Sequence, residues 1–207
     1  NGGVIQLGAF HKRIRDFLVD VEVEGPQTFA GYVFTGEDDV VAYSINGDTA
    51  TVTGLEFNYQ QPLTFLPGLL DGTLVGFNYT YTDAEGEIPN GDGGMRSIPL
   101  PASAKNTYNA MIGYDKGGLE LRLTASYRDE YLDEAGGSAG EDRYIDEHLQ
   151  IDASAKYRIN DNFQVFADLV NLNDANYLAY QKGPDRSRLL QYEEYSYTAK
   201  FGLRYTY

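Results

Sequence analysis

Few residues in this chain have the type and spacing that chemistry requires. Gly136-Gly137-Ser138-Ala139-Gly140 fits the nucleophile-elbow pattern G-x-S-x-G, but that motif works only on a sharp turn between a strand and a helix. Here the serine lies in an acidic stretch between strand patterns, and the reading is a flexible glycine loop. His148 stands beside Asp146 and Glu147 and could serve as a general base; His11 is the other histidine, and no oriented nucleophile accompanies either. Cysteine is absent, which removes disulfides and thiolate metal sites. Glu37-Asp38-Asp39, and Asp92 among glycines, offer hard oxygen ligands without EF-hand spacing, so they read as solvated acidic loops. The residues best suited to a polar ligand are Arg96, Arg143, Arg186 and Arg188, together with Tyr144, Tyr180 and Tyr192. Arginine forks carboxylates and phosphates, while tyrosine stacks on sugar rings or aromatic chelators. The chemistry expected is therefore binding, not catalysis.

Something has to hold those residues, and the chain's period-2 patterns supply it. From Tyr195 to Tyr207 the odd positions are Tyr195, Tyr197, Ala199, Phe201, Leu203, Tyr205 and Tyr207, and the even ones are all polar or glycine. One face is apolar with tyrosines at both ends, the profile of a strand crossing a bilayer. A spanning strand needs roughly 9–11 tilted residues, so this segment is long enough.

Seven more strands follow the same rule. The first runs from Val4 to about Val19, with a blurred phase around Phe10 to Arg15 that predicts a bulge or a pairing region above the membrane. The others cover about 49–61, 73–82, 105–114, 119–128, 149–158 and 163–171. Between them, long acidic connections alternate with short turns. Asn46-Gly47 in the first connection predicts a small extra-membrane hairpin. Membrane barrels place short turns on the periplasmic side and long loops outside. Four long loops would then share one side, with both chain ends on the other. Soluble up-and-down barrels and sandwiches also alternate faces, but not with this strand length, aromatic ends and loop asymmetry together.

Composition agrees. A net charge of −15 argues against nucleic acid, since nothing basic is clustered to release counterions. No apolar run is long enough for a spanning helix. Carboxylates near an outer leaflet could share divalent cations with lipopolysaccharide phosphates; no other cofactor is expected. The chain opens on Asn1 without a signal peptide, which suggests a piece of a longer protein.

Particular segments also resemble a family. Asn171-Leu172-Asn173-Asp174 followed by Tyr177, then Gln191-Tyr192-Glu193-Glu194-Tyr195 and Phe201-Gly202-Leu203-Arg204-Tyr205, resemble the carboxy-terminal end of TonB-dependent outer-membrane receptors. Ala9 to Phe17, Val52 to Phe57 and Ile98-Pro99-Leu100-Pro101 are similar to other recurrent segments of that family. The resemblance implies an all-β, transmembrane, antiparallel up-and-down β-barrel, with about eight strands present out of the twenty-two that such receptors have. Nothing matches the plug or the energy-coupling box, so residues 1–207 would be roughly the last third of the wall. The polar face, with Arg122, Arg128, Lys156, Arg158, Lys200 and Arg204, would then look onto a lumen or plug. Tyr195, Tyr197, Tyr205 and Tyr207 would sit at membrane interfaces, Tyr207 also carrying the signal read by the barrel-assembly machinery. The implied partners are outer-membrane lipid and lipopolysaccharide, the rest of the barrel with its plug, and the inner-membrane energy-coupling system. The implied activity is uptake of a scarce nutrient (a siderophore, a carbohydrate or similar); the Gln191 to Tyr195 segment is similar to a branch linked to carbohydrates. A small closed eight-stranded barrel, its charges packed against Glu120, Asp152 and Asp168, or a wall component without transport, stays open beside this reading. An outer-membrane hydrolase is the remaining alternative.

Overall fold

The computed structural model describes residues 2–89, 94–182 and 188–207. They form seventeen strands: β1 Val4–Arg15, β2 Leu18–Glu24, β3 Gln27–Phe29, β4 Tyr32–Phe34, β5 Val40–Asn46, β6 Thr49–Pro62, β7 Thr73–Pro89, β8 Met95–Pro99, β9 Asn106–Lys116, β10 Leu119–Arg128, β11 Tyr131–Gly136, β12 Arg143–Ile145, β13 His148–Arg158, β14 Phe163–Val170, β15 Tyr177–Gln181, β16 Arg188–Glu193 and β17 Thr198–Tyr205.

Eight of them build the wall. They pair antiparallel in the order β1-β6-β7-β9-β10-β13-β14-β17, with β8 added to the far end of β7. Among the described residues β1 and β17 do not pair with each other, so the wall is open and not the small closed barrel. Short turns join it along one rim. Gly117 and Gly118, at φ 64° and 83°, form the two-residue turn between β9 and β10, a conformation that glycine adopts without strain. Asn160 accepts the amides of Asn162 and Phe163 at 3.0 Å each, closing the β13–β14 turn.

Each wall strand alternates between two faces. One carries Leu7, Phe57, Ile112, Leu121 and Phe201, and Leu7 is 81% and Phe201 74% exposed. So much bare aliphatic and aromatic surface is stable only against lipid. The other face carries cross-strand polar pairs such as Gln6–Asn58, Asn78–Asn109 and Glu120–Lys156.

The blurred phase in β1 is not a bulge. Pairing with β6 runs unbroken from Val4↔Gln60 to Arg15↔Thr49. What changes is polarity. Ile5, Leu7 and Ala9 on the lipid side are followed by His11, Arg13 and Arg15, while the opposite face turns apolar. On β6 and β7 those opposite positions are Ala50, Ala84 and Ile88, all buried.

They are buried because the long loops are themselves a folded cap. The β1–β6 ribbon continues in the same register as β2–β5, after a joint where Asp16 N–H donates to Asp48 O and Gly47 N–H to Phe17 O. The first connection is thus a hairpin as expected, but its tip lies beyond β2 and β5, and Asn46-Gly47 belongs to the joint. A Cβ on Gly47 would lie 2.3 Å from the Phe17 ring. Likewise β10–β13 continues as β11–β12. Asp16, Ala102, Asn171, Asp174 and Ser196, at φ between 51° and 60°, all sit at joints between wall and cap. Left-handed backbone costs about 1 kcal/mol or more per residue outside glycine, so these bends are imposed by the packing beyond them.

The cap sheet has the order β16-β15-β12-β11-β2-β5, with β11 parallel to β2. Its Val19, Val21, Leu132, Tyr144 and Tyr180 pack on Phe17, Ala50, Ile88 and Ile98. The cap is therefore a two-layer sandwich: the extended ends of β6, β7 and β8 form one layer, and the six-stranded sheet the other. The dry core of the protein sits here, above the wall.

Candidate ligand-binding face of the cap

The residues expected to hold a ligand fall on both sides of the cap sheet. Tyr144 and Tyr180 face each other across β12 and β15 on the core side, 8% and 1% exposed, with rings 6.1 Å apart. Tyr180 donates to the Glu130 carboxylate. The Lys182 ammonium lies 4.5 Å from the Tyr144 ring centre and 2.9 Å from Glu130. Burial pushes the Tyr144 phenol above its ordinary pKa. Their rings serve the core.

Arg96 is largely enclosed, its side chain 13% exposed. Its two terminal nitrogens each reach a carboxylate oxygen of Asp142 at 2.7 Å, and Nη2 also donates to Gly136 O. Gly136 N–H in turn donates to Asp142 at 2.8 Å. Hydrogen bonding to Asp142 raises the Arg96 pKa against the opposing effect of burial. This closed group ties β8, from the second long loop, to the third loop. Ser138 follows β11 in a turn closed by Glu141 N–H to Ser138 O, and the next element is the strand β12, not the helix an elbow needs.

Arg143 sits on the opposite face, half-buried beside Ile145 and Gln181. Its Nε is 3.0 Å from Asp133, and Nη2 donates to Gln191 at 2.8 Å and to the Tyr177 hydroxyl at 3.5 Å. Tyr131 lies in the same row, with the Arg128 guanidinium 4.8 Å from its ring centre and donating to Asp146 O. Desolvation raises the Tyr131 phenol above its ordinary pKa. Gln191 and the Tyr195 hydroxyl both donate to Glu193. Arg143 thus gathers Asp133, Tyr177 and Gln191 into one group, and Arg128, which holds Tyr131, stands on the polar face of the wall. Tyr131, Asp133, Tyr177 and Gln191 were missed in the sequence because their short strands read as loop.

The remaining expected residues stand apart. Arg188 donates to Gln181 at 3.2 Å from the edge strand β16. Tyr192, on the core-facing side of β16 and half exposed, donates to Glu194 and accepts from Asn176. Arg186 and Asp92 lie outside the described residues. The carboxylate of Asp39 accepts Gly36 N–H at 2.8 Å. Among the described residues no group of three or more metal-ligating side chains is assembled.

Strand registers put Arg122, Arg128, Lys156, Arg158, Lys200 and Arg204 on one face, the polar one. The last strand is shorter than its alternation suggests. Ser196 at φ 56° breaks it, so Tyr195 and Tyr197 precede β17 and Tyr207 follows it. Tyr205 pairs with Phe163, ring centres 4.9 Å apart, at the short-turn rim.

Comparison with known proteins agrees with this architecture. A family model described as TonB dependent receptor-like, beta-barrel, matches residues 1–172. An iron-regulated outer membrane virulence protein of Vibrio cholerae O1, strain O395, is 25% identical over 183 residues, 87% of this chain and 26% of its own length. The protein of the same name in strain N16961 matches equally. Among solved structures, the ferric-catecholate import receptor Fiu of E. coli K12 superposes with a TM-score of 0.62 at 18% identity, over 99% of this chain and 25% of Fiu. The siderophore receptor PiuA of Acinetobacter baumannii gives 0.60 at 19%, over 98% and 26%. The chain spans about a quarter of the length of these relatives. An open wall with one lipid-compatible face, continued by a folded outer cap and matched over most of its length, identifies the chain as a member of the TonB-dependent receptor β-barrel family of the bacterial outer membrane.

Proposed function

We propose that this chain is a carboxy-terminal part of the wall and outer loops of an active-uptake receptor, and that its ligand is an iron chelate of the siderophore class. The observation that carries the reading is the face of the cap sheet opposite its core, where Arg143 joins Asp133, Tyr177 and Gln191 and, on the same sheet, the Arg128 guanidinium lies against the Tyr131 ring. Pre-ordered aromatic and guanidinium groups hold an aromatic or anionic chelate with little ordering cost. The iron and siderophore names of the relatives support that class over carbohydrate. In this reading the polar face lines the lumen against a plug, which an inner-membrane energy system displaces. Lipid covers the opposite face, and acidic cap residues share divalent cations with lipopolysaccharide.

The test is iron-limited growth of cells whose only chelate receptor is the complete protein, supplied with single chelates. Growth on one of them, reduced by Arg143→Ala or Tyr177→Ala at unchanged surface expression, is expected. Growth on a carbohydrate but on no iron chelate would refute the assignment.

A further inference from the structure

The lipid-compatible face of the wall is hollowed in the middle. There β9, β10, β13 and β14 each have both neighbours in this chain, so their outward side needs no further strand to complete it. In register, Leu121, Ala155, Ala167 and Phe201 form one row, and Leu123, Ala153 and Leu169 the next. The alanines lie low, while Leu121, Leu123 and Phe201 stand exposed around them. Two apolar hollows result, of about 400 and 510 Å³, which meet at Ala155 and Ala167. Toward the cap the low ground continues over Ala110 and Ala125, paired on β9 and β10, as far as the stacked Tyr108 and Tyr127. Leu121 to Tyr127 is six residues, about 20 Å. A trough of this shape fits one hydrocarbon chain laid along the strands, and left empty it forfeits the dispersion contacts of its lining.

Tyr127 links the trough to a site of different chemistry. Its hydroxyl lies 2.9 Å from both Asp129 and Glu147, which line a polar cavity of about 290 Å³ beside residues 99–105. The charged lining of that cavity is Lys105 and Lys182 with Asp129, Glu130, Asp146 and Glu147. Glu130 is engaged by Tyr180 and Lys182, and Asp129 by the amide and side chain of Asn106. Lys105 is 3.8 Å from Asp83, outside the cavity, with both side chains more than half exposed. Carboxylates thus outnumber cations in a space that still offers two ammonium groups. A bare phosphate would meet the lysines and be repelled by the carboxylates, whereas a phosphate that carries its own ammonium satisfies both.

We propose that trough and cavity together hold one lipid of the outer leaflet, with an acyl chain along the alanines and a phosphate bearing a primary ammonium between the lysines and carboxylates. The ligand class is a glycolipid whose phosphate is esterified with an aminoalkyl group. The inference rests on the reading above that lipid covers this face, with lipopolysaccharide at its upper border.

The experiment takes the complete receptor, delipidated in detergent, and titrates it with lipid A, either bare or carrying phosphoethanolamine, counting bound lipid by native mass spectrometry. EDTA is present throughout, so that no divalent cation bridges phosphate to carboxylate. One molecule of the aminated lipid should bind, at a Kd about tenfold below that of bare lipid A. Glu147→Gln, a change at an exposed residue between strands, should remove most of that preference. Ala155→Leu with Ala167→Leu fills the trough and should weaken both lipids about tenfold; leucine suits a lipid-facing strand, so the barrel should fold. Equal affinity for the two lipids, or a preference for the bare one, would overturn the proposal. So would a filled trough that binds lipid as the wild type does, or a second receptor copy seated on this face in place of lipid. Growth on chelates without lipid selectivity would sink the lipid site alone; lipid selectivity without growth would sink the uptake reading alone.

Discussion

Replacing Asp142 by alanine isolates what holds the cap together. Asp142 accepts both terminal nitrogens of Arg96 and the amide of Gly136, and the two side chains are 5% and 13% exposed. Removing the carboxylate leaves an enclosed guanidinium with only Gly136 O to donate to, and a buried Gly136 N–H without its acceptor. Breaking a buried pair from one side costs about 3–5 kcal/mol, because the remaining charge is uncompensated. That magnitude applies here because both groups are well screened from solvent and the geometry is bidentate. Amide hydrogen exchange on the complete receptor would read the effect. Protection of β8, β11 and β12 should fall by roughly a hundred- to a few-thousand-fold, the factor that 3–5 kcal/mol implies. Protection in β10 and β13 should stay unchanged, since the wall ladder does not include the pair. The arginine keeps its charge throughout, since a guanidinium is not deprotonated in a protein. Asp142→Asn keeps an acceptor and should cost less than the alanine variant. A loss of protection below about threefold, or an equal loss in wall and cap, would refute the claim that this pair joins the second and third loops into one folding unit.

Two other outcomes follow from the joints and the cap core. Gly47→Ala places a methyl group 2.3 Å from the Phe17 ring, and overpacking of this kind costs about 1–3 kcal/mol; thermal melting should show the loss, and Gly47→Ala with Phe17→Leu should recover part of it, whereas equal melting of wild type and Gly47→Ala would show that the joint relaxes freely. The buried Tyr144 phenol has a raised pKa in the folded cap, so the folded state binds a proton that the unfolded chain releases above roughly pH 10. Cap stability, followed by proteolysis, should therefore be steady below that range and fall as pH rises through it, while Tyr144→Phe should flatten the fall; an unchanged alkaline profile in the variant would remove the role assigned to burial.

The wall was legible in the sequence because lipid on one side and polar surface on the other write a strict alternation over eight or more residues. Leu119 to Arg128 reads the same in both. The cap was not legible, for physical reasons. Its strands run from three to seven residues, and the exposed side is itself covered by tyrosine and arginine, so the contrast between faces is weak. Tyr144 and Tyr180 have the side chains of ligand contacts and serve as core, since a buried phenol that finds a carboxylate packs as well as an aliphatic residue. Arg96 and Asp142 lie 46 residues apart, with no local pattern to link them. Tyr195 and Tyr197 fit the spanning alternation, but the bend at Ser196 takes them out of the ladder.

The joint between the two parts also marks where lipid ends. Ala9, Leu55 and Tyr81 stand side by side across β1, β6 and β7, and one step further along the same face stand His11, Thr53 and Asp83. Register is kept and polarity inverts on all three strands at one level. Across β9, β10 and β13 the same face presents Tyr108, Tyr127 and Leu149, the two tyrosines stacked at 4.7 Å, with Asp129 and Glu147 just beyond, both accepting from Tyr127. A change of solvent is the one cause that would reverse both faces of several strands together while leaving their hydrogen bonds untouched, because the ladder depends on backbone alone and the faces on what wets them. Above that level the outward positions must be polar, and the inward ones are free to build a dry core. That is why the stable core of this wall segment lies in its cap.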